Sequence, residues 1–223
     1  MHIKKNKKIL IYFFLLFFVG SINNLNFEKY NFSEIKKINV FGLSNLENQN
    51  IIKNINNIKL DNIFFLNDSQ IKKIIEKNKL VESYKVSKIY PSTLNIDIQK
   101  TKFLAKINLD SKTFIIGSNG KLSSSENLNK KLPFVFGKPE INEFLNFKKI
   151  IDQSNILYDQ IKNLYFYPSK RWDIELKNNL IIKLPANERK NSLNIAFDFI
   201  SNSNLKDFKT IDIRTKNQII INE

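Results

Sequence analysis

Hydrophobic residues recur along this chain at two periods, and the switches between them predict its elements. In VESYKVSKIYPSTLNIDIQK, residues 81–100, Tyr84, Val86 and Tyr90 share one parity, interrupted by Lys88. Leu94, Ile96 and Ile98 share another, opposite Thr93, Asn95, Asp97 and Gln99. A period of two predicts a pair of strands folded about Pro91-Ser92, with one buried face. A lone hairpin is marginal in water, so that face needs a cover. Upstream, IKKINVFG (35–42) reads as a strand ending at Gly42, and Ser44-Asn45-Leu46-Glu47 matches a helix capping box. Ile51, Ile55 and Ile58 follow at helical spacing. A second helix, capped by Asp68 or Ser69, carries Ile71, Ile74 and Ile75. The order is β-α-α-β-β, and two amphipathic helices across a small sheet supply the cover.

From residue 102 the pattern turns mostly to strands. FLAKINL and TFIIG flank a tight turn at Asp110-Ser111-Lys112, Ser118-Asn119-Gly120 makes another, and KLSSSENLNKK reads as a polar loop. LPFVFGKP leads into a helix with Ile141, Phe144, Phe147 and Ile151 on one side and Pro139 near its start. A second hairpin alternates Trp172, Ile174 and Leu176 with Asp173, Glu175 and Lys177, then turns at Asn178-Asn179. Asp173 and Glu175 therefore read as a solvated face, and Trp172 as a core aromatic. Residues 188–202 predict a helix burying Leu193, Ala196, Phe197 and Ile200, and FKTIDIR and QIIIN close the chain as short strands. The fold class is α+β: an N-terminal transmembrane helix, the β-α-α-β-β unit, then a β-rich mixed domain with flanking helices.

The N-terminus has its own pattern. Lys4, Lys5, Lys7 and Lys8 precede an unbroken apolar run from Ile9 to Val19, which Gly20, Ser21 and Ile22 extend. No polar face recurs at helical spacing, so a soluble core helix is a poor fit. Two readings stand. Small residues near Val19-Gly20-Ser21 suit a cleaved signal peptide. An uncleaved anchor also fits: residues 9–22 span about 21 Å as a helix, and lysine stems with Leu25 and Phe27 lengthen the reach toward a core of about 30 Å. In both, the lysines stay cytoplasmic and the rest crosses the membrane.

A formal charge of +15 suggests nucleic acid at first sight. However, Arg171, Arg189 and Arg214 are the only arginines, and the lysines are scattered along every element, so base readout and bidentate phosphate contact are poorly served. Cysteine is absent and the single histidine is His2. Thiolate and imidazole chemistry, disulfides and cysteine metal sites are thereby excluded from the folded part. No glycine-rich phosphate loop occurs, and no nucleophile has a base. We expect no enzyme activity, no cofactor, no small-molecule substrate and no nucleic-acid partner.

The chain resembles the FtsQ/DivIB family of bacterial cell-division proteins over nearly its whole length. Four stretches carry the likeness: KKNKKILIYFFLLFFV, INVFGLSN through VSKIYPSTLNIDI, RWDIELKNNLIIKLP and IDIR. Their order and spacing are more specific than any one of them, and the Arg-Trp, Asn-Asn and Leu-Pro arrangement looks most like Gram-negative members. The resemblance implies a cytoplasmic tail (1–8), a signal anchor (9–27), a POTRA domain (34–101) and an FtsQ-type β-domain (102–223). It implies an inner-membrane, single-pass protein at the division septum, with its bulk periplasmic, that recruits the small division proteins FtsB and FtsL.

A last strand at a sheet edge leaves backbone N–H and C=O groups for another chain to complete. In the resembling family the partner strand adds near this C-terminal region. That role is carried onto Thr215, Asn217, Gln218, Ile219, Ile220 and Ile221, with Arg171 and Arg214 as charged neighbours that grip acidic partner side chains. The POTRA unit reads either as a second docking module or as a spacer, and the tail lysines as topology signals. The competing function is a POTRA-bearing outer-membrane transport or assembly factor, for whose barrel too few residues remain.

Overall fold

The computed structural model describes residues 3–22, 34–58, 60, 63–64, 66, 68–124, 131–202, 208–216 and 218–222. Residues 23–27 of the expected anchor, 125–130 of the expected polar loop and Asn217 lie outside that set. The first helix, α1 (Ile3–Ile22), carries the apolar run, whose side chains are exposed from Ile9 to Val19. Among the described residues no helix is long and apolar enough to cross a membrane. The lysines at 4, 5, 7 and 8 occupy the first turns of α1, so the strict run spans only about 17 Å.

The β-α-α-β-β order holds: β1 (Lys37–Phe41), α2 (Asn45–Asn56), α3 (Asp68–Lys77), β2 (Val81–Ile89) and β3 (Thr93–Lys100). The sheet order is β1-β3-β2, with β1 parallel to β3 from Lys37 opposite Thr93 to Phe41 opposite Asp97. Period decides burial on β3 and the helices but not on β2, where Tyr84 and Val86 are half-buried, Tyr90 is exposed and Val81, of the other parity, is buried. Leu94 and Ile96 on β3, Ile51 and Ile55 on α2, and Ile71 and Ile75 on α3 are all buried. Helix α2 packs against β1. The parallel pairing ends at Gly42, where φ is +106° and a Cβ would stand 1.7 Å from the Ile98 carbonyl oxygen. Only glycine fits there.

By contact density the chain divides into residues 1–41, 45–72 and 85–97, and residues 42–44, 73–84 and 98–223. Hydrogen bonds within the second unit explain why residues 73–84 belong to it. Lys121 Nζ donates to Glu76 O at 2.6 Å, satisfying a carbonyl orphaned at the end of α3. The Asn119 amide donates to Lys79 O and Val81 O, and the Glu82 carboxylate accepts from Thr101 and Ser118.

Among the described residues the second unit holds a nine-stranded sheet made of β4 (Phe103–Leu109), β5 (Lys112–Gly117), β6 (Leu122–Ser124), β7 (Phe134–Phe136), β8 (Ile161–Phe166), β9 (Trp172–Leu176), β10 (Ile181–Lys183), β11 (Thr210–Asp212) and β12 (Ile220–Asn222). Its order is β12-β11-β10-β9-β8-β7-β4-β5-β6. Helices α4 (Ile141–Asp152) and α5 (Arg189–Asn202) back one face. Phe144, Phe147 and Ile151 from α4 and Leu193 and Ala196 from α5 join Ile107, Leu164, Trp172, Ile174 and Ile182 in one core. Trp172 stacks on Phe147 with ring centroids 4.6 Å apart and tilts against Phe166. Its expected core role is met.

Two expectations are corrected. Leu122–Ser124, read as part of a polar loop, forms β6 by pairing with β5 and closes one side of the sheet. Asp173 and Glu175 are not a solvated face: every residue of β9 is buried, and Asp173 is 1 % exposed. Neighbouring side chains compensate both carboxylates, as described next.

Candidate partner-binding edge

The C-terminal hairpin follows from a crossover. After β10, helix α5 carries the chain back so that β11 joins β10 in parallel, Ile182 opposite Ile211. The backbone then turns through Arg214, Thr215 and Lys216, and β12 returns antiparallel to β11. Ile221 lies opposite the buried Ile211, so it points to the helix-backed core. Ile220 and Asn222, level with Asp212 and Thr210, point to the other face. Strand β12 is last in the sheet order, and among the described residues no strand pairs with its outer side. Ile219 and Ile220 are exposed, Ile220 at 49 %.

The expected site residues separate into groups. Gln218, Ile219, Ile220 and Ile221 lie on or just before the edge strand. Thr215 sits in the turn, where with Pro185, Ser192, Ile195, Ile213 and Lys216 it lines a cleft of about 230 Å³. Arg214 folds back onto Asp212, with Nε 2.8 Å from Oδ1. These bonds from Arg214, helped by the charge of Lys183, hold the Asp212 carboxyl below the usual carboxylate range despite partial burial. Arg171 is one strand position from β9: its Nε donates to Asp173 Oδ1 at 3.2 Å, and its guanidinium lies 4.1 Å from the Tyr167 ring centre. Each arginine is thus already paired within the chain.

Sequence reasoning missed a polar rib on the same face of the sheet. Glu175 accepts from Lys162 Nζ at 2.8 Å, from the Asn163 amide at 2.8 Å and from the Tyr165 hydroxyl at 2.6 Å. Burial alone would raise its carboxyl, but these three donors outweigh it and hold it at about 2. Burial and the bond to Glu175 push the Tyr165 phenol up to about 12. A signal existed: Asn163 and Tyr165 share a parity on β8 that matches Asp173 and Glu175 on β9. Among the described residues no group of acids and histidines is placed to hold a metal ion.

A β-α-α-β-β module followed by a helix-backed sheet with an open terminal strand defines a POTRA-bearing, two-module protein. Comparison with known proteins narrows this. The FtsQ-type POTRA domain matches residues 33–100, and the FtsQ/DivIB cell-division C-terminal family matches residues 105–214. The cell division protein FtsQ of Rickettsia bellii is 24% identical over 203 residues, covering 84% of this chain and 72% of that protein. DivIB of Clostridium tetani is 29% identical over 171 residues, covering 76% of this chain and 62% of its own. The extracytoplasmic domain of DivIB from Geobacillus stearothermophilus superimposes on 46% of this chain and 97% of itself, at 12% identity and a TM-score of 0.34. This chain belongs to the FtsQ/DivIB family of cell-division proteins.

Proposed function

We propose that the chain is a non-enzymatic scaffold of the division complex that captures FtsB- and FtsL-like partners by strand addition to β12. One observation carries this: β12 ends the sheet with its outer side unpaired among the described residues. Thr215, Asn217, Gln218, Ile219, Ile220 and Ile221 form the contact, and Arg171 and Arg214 are secondary charged neighbours. An added strand gains main-chain hydrogen bonds, and its alternate side chains meet the core side at Ile221 and the polar side at Ile220. Domains 34–101 and 102–223 then act as the POTRA module and the partner-binding module. The test is co-purification with the two partner proteins after deleting residues 217–223. Lost capture by a protein with an unchanged circular dichroism melt supports the reading; full capture by that protein overturns it.

The same proposal holds the chain at the inner membrane by an uncleaved α1, with residues 1–8 cytoplasmic, 9–27 as the anchor and the bulk periplasmic at the septum. Supporting it is an exposed apolar run without a polar face. Residues 9–22 cover about 21 Å as a helix, shorter than a hydrocarbon core of about 30 Å, and local thinning of the bilayer would make up the difference. Mass spectrometry of protein taken from membranes should find residues 9–22 retained. A mature chain starting near Ile22 removes the anchor.

A further inference from the structure

The tip of the β2–β3 hairpin and Phe64, from the connection between α2 and α3, present large apolar side chains in the open. Phe64 is 53 % exposed, Ile89 49 % and Tyr90 58 %, and the rings of Phe64 and Tyr90 stack with centroids 5.0 Å apart. Leu94 and Ile96, a few residues further along the same hairpin, are fully buried. Cover by the helices therefore stops short of the tip. Exposed apolar groups clustered this way mark a contact surface.

The path of the chain says what meets it. The backbone N–H groups of Lys36 and Lys37 donate to Ser92 O, at 2.8 and 3.2 Å, and Lys37 is level with Thr93. The chain thus enters this unit beside the hairpin tip, and it arrives from α1. Between Ile22 and Lys37 it can extend about 50 Å at most. Charge agrees: Lys36 and Lys37 are exposed and Lys88 is half-buried, against Glu34 and Asp68 as the described acids nearest in sequence to Lys36 and Phe64. Aromatic rings beside lysines suit the boundary of an anionic bilayer, where ring edges sit among headgroups and ammonium groups meet phosphates.

We infer that the hairpin tip is a lipid-contact surface: Phe64, Ile89 and Tyr90 seat at headgroup level, with Lys36, Lys37 and Lys88 over the lipid phosphates. The inference rests on the anchor reading of α1 and adds a second, shallow point of attachment that sets how the POTRA module stands on the membrane.

The cysteine-free sequence allows a direct test on the full chain. Ser92→Cys, Asp97→Cys and Phe14→Cys each take one nitroxide label, marking the tip, the far end of β3 and α1. The proteins are reconstituted into vesicles of phosphatidylethanolamine and phosphatidylglycerol, and each label's accessibility to oxygen and to a water-soluble nickel chelate is measured. Expected are a label at 14 deep in lipid, one at 92 several-fold less open to the chelate than one at 97, and loss of that difference when Phe64, Ile89 and Tyr90 are replaced by Ser. Equal accessibility at 92 and 97 with 14 lipid-buried overturns the tip contact and spares the anchor. Protection at 92 that survives the serine replacements also overturns it. A label at 14 open to the chelate overturns the anchor reading, and the tip contact falls with it.

Discussion

Strands β9 and β12 belong to one sheet yet answer the same physical demand in opposite ways. Strand β9 has β8 on one side and β10 on the other, and all its residues are buried. Its apolar side chains fill the core, and its two carboxylates are neutralised by side chains of the same chain. Among the described residues strand β12 has β11 alone, and Ile220 is exposed. An interior strand must complete every polar group within the fold, because an unpaired buried one is costly. An edge strand can leave them to water, and so to a partner. Under the proposed function, stability and recognition fall to different strands of one layer.

The sharpest way to break this contrast is one substitution at both places. Ile174→Pro removes a ladder hydrogen bond of β9, which lies between β8 and β10, and should cost about 3 kcal/mol or more, a large share of a domain's stability. Ile220→Pro acts at an edge, where proline is tolerated, and should cost no more than about 1 kcal/mol. It should still abolish partner capture. Urea denaturation measures both. Comparable losses would mean that β12 is as structural as β9.

Next in size is the carboxylate of Glu175. Its folded value of about 2 lies below the 4.5 of a free side chain, so the ionised form favours the folded state. That contribution is complete above pH 4.5 and vanishes as pH falls toward 2, a change on the order of 2–3 kcal/mol. At the alkaline end the raised Tyr165 phenol works the other way: stability present below pH 10 is lost as pH rises to about 12. Glu175→Gln should flatten the acid limb of a stability–pH curve measured by urea denaturation. An unchanged acid limb would remove Glu175 from the account.

What the sequence revealed follows the same division. Local period was enough for the β-α-α-β-β unit, since Ile51 and Ile55, Ile71 and Ile75, and Leu94 and Ile96 each fall on the face their spacing assigns. It was enough for β9 and β10 too, with Asn179 at φ +67° in the turn. It misjudged β2, where Tyr84 and Val86 are only half-buried, Tyr90 is exposed and Val81, of the other parity, is the buried residue. It misjudged Asp173 and Glu175 because alternation on one strand cannot register what neighbouring strands supply. Leu122–Ser124 has no strand signal of its own and exists by pairing with β5. At the edge, the apolar run of residues 219–221 was readable as a strand, whereas its place in the sheet and the internal pairing of Arg171 and Arg214 depend on how the strands and side chains come together.

The two arginines give the finest version of the comparison. Asp173 is 1 % exposed, so Arg171→Ala leaves a buried carboxylate without its guanidinium and should cost about 3 kcal/mol. Arg214 is different. Its side chain is 45% exposed and Asp212 keeps the charge of Lys183 nearby, so Arg214→Ala should cost at most about 1 kcal/mol. Any larger effect should appear only with partner present, as weaker capture that worsens with added salt, because an exposed guanidinium reaches acidic groups through a screened interaction. Binding measured at two salt concentrations separates the cases. Unchanged affinity and salt dependence in Arg214→Ala would leave the backbone of β12, and not its charged neighbour, as the part of this edge that a partner reads.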